Sequence, residues 1–123
     1  MKFDSQFDLI LRDTVDKGKG IFTNENIPAN SKIFANLVVP IPKQELEIFE
    51  NSFFSSHLIY WNTTFAIGLG IAIYLNHSDT PNVKLVRHFD DNFIEAFSIV
   101  PIPKGIELTH KYANPHRHLI ENA

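Results

Sequence analysis

The chain has 123 residues, 44% of them hydrophobic and 20% charged, with a formal net charge of −3. That length fits one domain around one core, and the balance leaves no tract polar enough to be disordered. A mildly acidic chain is not a general nucleic-acid binder, which needs a basic stripe, and the absence of cysteine excludes disulfides, a thiol nucleophile and Cys-ligated zinc.

The N-terminal "MKFDSQFDLILRD" lacks the apolar centre of a signal peptide. The longest apolar run, around 65–75, is broken by two glycines and is too short to span a bilayer. These features predict a soluble protein, cytoplasmic, or delivered to a host cell or nucleus if viral or effector-like, and not secreted by a classical signal peptide. The eleven Phe against one Trp predict a core filled with aromatic rings.

In chain order the sequence reads as many short strands. "FDLILR" at 7–12 and "IFTNENI" at 21–27 flank a glycine-bearing turn, and "SKIFANLVVPIP" at 31–42 is extended until its prolines end it. One helix is expected within 43–54, where Leu46, Phe49 and Phe53 recur at steps of three and four with glutamates between them. "VKLVRHF" and "FIEAFSIV" alternate well enough for a hairpin turning over 90–92. "NIPANSKIF" at 26–34 and "PIPKGIELT" at 101–109 echo one another, with Asn30 and Gly105 in the place that takes a positive φ.

Three stretches carry candidate chemistry. "DKGKGIF", 16–22, sets glycines around Lys19, where backbone can pass close to a ligand, although the segment standing alone reads better as a plain Gly-Lys-Gly hairpin. It matches neither a phosphate-binding loop nor a dinucleotide fingerprint. "YLNHSDTPNV", 74–83, places Asn76 and His77 ahead of turn-forming residues and directly after an apolar run, so it is either a turn or the wall of a site. "GIELTHKY", 105–112, ends on Tyr112. His116 and His118 alone make no metal site, and no catalytic serine motif is present.

Taken in order, "KGKGIF", "GLGIAIYLNHSDTPNV" and "IPKGIELTHKY" resemble the SET domain, the fold of many protein-lysine methyltransferases. The resemblance spans about residues 8–112 and is nearest in outline to the minimal viral and bacterial SET proteins. It implies one SET domain over 1–123, mainly β with short helices: a β-clip-like arrangement of small twisted sheets, a C-terminal pseudoknot, and a 113–123 tail able to serve as a cofactor lid. The implied activity is S-adenosylmethionine-dependent protein-lysine N-methylation, with S-adenosylhomocysteine as product. Methyl transfer runs in line to a neutral amine in a narrow tunnel and needs no protein nucleophile. The implied cofactor-binding residues are Lys17, Gly18, Lys19, Gly20, Asn76 and His77; Tyr112 is the implied catalytic tyrosine. His57, Tyr60 and His110 are the implied lysine channel. The implied partner is a lysine-containing protein or peptide such as a histone tail, with no metal, nucleic acid or membrane, and a homodimer as one possible assembly.

The sequence also departs from the family pattern. Ile73, Tyr74 and Leu75 replace the Arg-Phe-x that often precedes the Asn-His pair, Asp79 replaces a cysteine, and His110 stands where Phe or Tyr is usual. If His110 lines the lysine channel, its imidazole can be neutral or charged near neutrality; pointing away, it would be a neutral ring bonded to backbone. The departures leave a second reading open, a non-catalytic SET-like module that binds a peptide or partner, and a third, a small β-rich protein without a cofactor.

Overall fold

A computed structural model describes residues 3–111. Tyr112, His116, His118 and the 113–123 tail lie outside the described residues. Among the described residues the strands form three sheets. β1 (Leu9–Asp13) and β2 (Lys19–Thr23) form an antiparallel pair. β3 (Lys32–Pro40), β4 (Leu58–Trp61), β5 (Thr64–Gly68), β7 (Val83–His88) and β8 (Phe93–Ser98) form an antiparallel sheet in the order β4-β5-β3-β8-β7. β6 (Asn76–His77) and β9 (Thr109–His110) form a short parallel pair.

Side-chain alternation explains the large sheet. In β8, Ile94, Ala96 and Ser98 face inward and are buried, and the residues between them are only partly covered. In β3, Ile33 and Phe34 are adjacent and both fully buried, which strict alternation forbids. A register shift between Lys32 and Phe34 turns both inward, as a β-bulge does. Farther along, Val38 is buried between the exposed Leu37 and Val39. The sheet curls until its two edges meet: Arg87 Nε of β7 donates to the Tyr60 carbonyl of β4 at 3.0 Å. Trp61 closes the same seam by packing edge-on to Phe89, with centroids 5.0 Å apart, and by donating Nε1–H to Asn92 Oδ1 at 3.0 Å.

The core is aliphatic rather than aromatic. Ile21, Ile27, Ile33, Ile71, Ile94, Ile102 and Leu108 are fully buried, whereas of the phenylalanines only Phe34 and Phe65 are buried. A curled sheet with short radii favours β-branched side chains, which pack on pleated surface without needing the depth of a ring. A smaller cluster of Ile41, Leu46, Leu58 and Phe65 closes one end, with Phe49 and Ile67 against it.

The expected helix within 43–54 is much shorter than its periodicity predicts. A 3-10 turn at Lys43–Glu45 leads into α1 (Leu46–Glu50), and a second 3-10 helix covers Phe53–His57. Polar side chains between them compete for the backbone. Asn51 Nδ2 bonds to the Glu47 carbonyl at 2.9 Å, and Ser52 Oγ bonds to the Phe49 carbonyl at 2.8 Å while accepting from the Phe54 amide at 3.1 Å. Leu46 and Phe49 therefore pack inward, but Phe53 is 80% exposed.

The echo between 26–34 and 101–109 has a structural counterpart. Ile27 and Ile102 form an antiparallel bridge with mutual amide–carbonyl bonds of 2.9 and 2.8 Å, and Asn30 and Gly105 adopt φ of 59° and 92°. The bridge anchors the segment that leads into β9. β9 then lies beside β6, which places "GIELTH" against "NHSDTPN".

Candidate active site

The turn before β2 forms one wall. Thr14 closes it: its amide and Oγ1 both bond to the Gly18 carbonyl, at 2.7 and 2.8 Å, and its Oγ1 accepts from the Lys17 amide at 2.8 Å. The two glycines serve different ends. Gly18 has φ +72° with open space where a Cβ would sit, so conformation selects it. Gly20 is selected by close approach, because a Cβ there would lie 2.5 Å from Glu107 Oε2 and 3.0 Å from Asn76 Nδ2.

β6 forms the second wall. Asn76 is 6% exposed, and its Nδ2 donates to the Lys19 carbonyl at 3.0 Å and to Glu107 Oε2 at 2.8 Å. Both partners are acceptors only, which fixes the orientation of the amide and leaves Oδ1 as the atom it can offer elsewhere. His77 Nε2 meets Asp79 Oδ1 at 2.9 Å. The rest of the loop is structural: Ser78 Oγ accepts from the Thr80 amide at 3.0 Å. Asn82 ties the loop to the C-terminal strand through Glu107 O and the Thr109 amide, both at 2.8 Å. "NHSDTPN" is thus a turn whose first two residues are also the wall of a cavity.

The cavity between these walls measures about 810 Å³ and is lined by Asp16, Lys17, Gly18, Lys19, Ile73, Tyr74, Asn76 and His77, with Phe53, Phe54, Ser56 and His57 opposite. Phe53 packs edge-on to Phe54, with centroids 5.6 Å apart, and tilts against the His57 ring at 5.2 Å. Burial lowers the His57 pKa, partly offset by a hydrogen bond to the Ile73 backbone.

Of the residues singled out in the sequence, Lys17, Gly18, Lys19, Asn76, His77 and His57 meet around this cavity. Gly20, Tyr60 and His110 are not among its lining residues. Gly20 faces the Glu107–Asn76 pair. Tyr60 lies on β4 with its ring edge-on to Phe65, centroids 6.3 Å apart. His110 is buried opposite His77, and its pKa is lowered to about 4, by desolvation first and then by Arg87, His77 and His57. Of the two states the sequence left open, this lowering favours the neutral imidazole.

Sequence reasoning missed Phe53, Phe54 and Ser56 as lining residues; helical periodicity assigned Phe53 to a packed face and gave Phe54 and Ser56 no role. The polar flanks in "NSFFSSH" were the signal against that assignment. It also gave Glu107 no role, although a carboxylate between Ile106 and Leu108 has to find a partner.

A glycine-bearing turn, an Asn-His strand and a parallel C-terminal strand joined by one carboxylate define a protein class. The family model for the SET domain matches residues 18–113, and the chain belongs to the SET-domain family. A curated relative in Schizosaccharomyces pombe, a histone-lysine N-methyltransferase specific for H3 lysine-37, is 29% identical over 108 residues, covering 86% of this chain and 74% of its own. A solved Plasmodium falciparum structure, described as a candidate histone methyltransferase, shares the fold with a TM-score of 0.64 at 23% identity, over 88% of this chain and 95% of that one.

Proposed function

We propose that this SET-domain chain is a protein-lysine N-methyltransferase that draws its methyl group from S-adenosylmethionine and acts on a histone-like lysine segment. The observation that carries the reading is the cavity itself, where the Lys17–Lys19 turn and the Asn76–His77 strand face aromatic side chains.

The residues present fit an amino-acid-bearing nucleoside. Asn76 Oδ1 is left to accept from an ammonium, Lys17 supplies a cation for a carboxylate, and Phe53, Phe54 and Tyr74 supply apolar wall for a flat ring. When bound, S-adenosylmethionine supplies a sulfonium methyl for in-line displacement by an amine. The chain's own contribution is placement and charge. His57, Tyr60 and His110 are proposed to line the approach of the target lysine. His110 remains neutral there and Arg87 remains cationic despite the lowering of its pKa by burial, so the surroundings favour the uncharged amine. Tyr112 is proposed to place its hydroxyl beside the reacting centre. On transfer the amine would give up its surplus proton to water, and the cofactor's thioether would be the leaving group.

Calorimetric titration with S-adenosylhomocysteine, followed by tritium transfer from labelled S-adenosylmethionine to a histone mixture, tests the reading. Binding and transfer are expected. Binding without transfer would make the chain a binding module, and absence of binding would refute the cofactor assignment.

A further inference from the structure

Glu107 does not line the cavity, yet it touches two side chains that do. Its Oε1 lies 3.2 Å from Lys17 Nζ and its Oε2 accepts from Asn76 Nδ2 at 2.8 Å. Its backbone carbonyl accepts from Asn82 Nδ2 at 2.8 Å, and Glu107 bridges Phe22 of β2. The carboxylate side chain is only 15% exposed, so its bond to the buried Asn76 is shielded from water, while its pairing with Lys17 lies at the surface. Gly20 leaves the space it occupies, since any side chain there would collide with Oε2.

We infer that Glu107 is a positioning residue for the zwitterionic, amino-acid end of the cofactor, acting through Asn76 and Lys17. The inference rests on the cofactor reading above and adds to it. One carboxylate prepares two opposite contacts at once. Its Oε2, with the Lys19 carbonyl, occupies the Asn76 amide N–H groups and thereby selects the rotamer in which Oδ1 is the atom offered to a ligand ammonium. Its Oε1 holds the Lys17 ammonium at the cavity wall, where a ligand carboxylate meets it. Without this hold, a lysine that is 39% exposed has many rotamers to lose on binding.

Glu107→Gln is nearly isosteric and discriminates between this role and a purely structural one. A single amide oxygen cannot serve both partners, and an amide NH2 placed against Asn76 Nδ2 favours reversal of the asparagine amide. The two probes are S-adenosylhomocysteine, which carries the amino-acid end, and 5′-methylthioadenosine, which has the same thioether nucleoside without it. Calorimetry on the full chain is expected to show Glu107→Gln weakening S-adenosylhomocysteine by about tenfold while 5′-methylthioadenosine stays within about twofold. Equal losses for both probes, or no loss for either, would overturn the positioning role and leave the cofactor reading standing. Failure of the parent chain to bind either probe would overturn both. If Glu107→Gln does not fold, Lys17→Met tests the outer half of the same arrangement on an accessible side chain. A fall of several-fold in the ratio of the two affinities is expected, and an unchanged ratio overturns the inference.

Discussion

Acid sensitivity offers a direct test of how His110 is held. The ring is 8% exposed, and its pKa is displaced from 6.5 to about 4. Below pH 6.5 an unfolded chain binds a proton at this residue, whereas the folded chain does not until the pH approaches 4. Stability is therefore lost as pH falls through that window and levels off beneath it. A gap of this size corresponds to roughly 3 kcal/mol, of which about 2 kcal/mol is lost by pH 5. His110→Phe keeps a ring of similar size and removes the titration. Urea unfolding of parent and variant at pH 7 and pH 5 should show the parent losing about 2 kcal/mol more than the variant over that interval. His57, whose pKa is also lowered by burial, adds to the loss in both proteins; because it also acts on His110, only part of that contribution cancels. Parallel losses would refute the assignment of His110 as a buried neutral imidazole.

Tyr112→Phe should leave S-adenosylhomocysteine affinity within about threefold while lowering single-turnover methyl transfer by about a hundredfold or more, and an undiminished rate would remove Tyr112 from the mechanism. Gly20→Ala introduces a Cβ that meets Glu107 Oε2 at 2.5 Å, so denaturant unfolding should show a loss of about 1–3 kcal/mol together with weaker S-adenosylhomocysteine binding. Asn92 combines a φ of 53° with the bond to Trp61 Nε1. Asn92→Gly should cost about 1–3 kcal/mol through the orphaned indole N–H alone, and Asn92→Ala should cost more because alanine also strains the turn; equal melting temperatures for the two variants would contradict this.

Local chemistry made several features legible in the sequence. The alternation in "FIEAFS" specified which side of β8 is buried, because successive side chains in a strand must point to opposite faces. Asn30 and Gly105 marked the positive-φ turns because few other residues tolerate that backbone. The family resemblance, not local chemistry, grouped Lys17, Gly18, Lys19, Gly20, Asn76 and His77, and all of these but Gly20 line one cavity. Other features depend on long-range packing and had no local sign. Phe53 fits a helical stripe, but the competition from Asn51 and Ser52 ends the helix before the stripe can be used. Ile33 and Phe34 share the core only because β3 bulges against β8. Glu107 acquires its partners only when β9 pairs with β6 across more than thirty residues of chain, which brings the carboxylate under Asn76 and against the glycine of β2. Sequence thus determined where the polar groups of the site stand along the chain, through turn chemistry and strand period. Tertiary structure alone decided what each of them faces, because a buried carboxylate or amide takes its role from partners that arrive from distant segments.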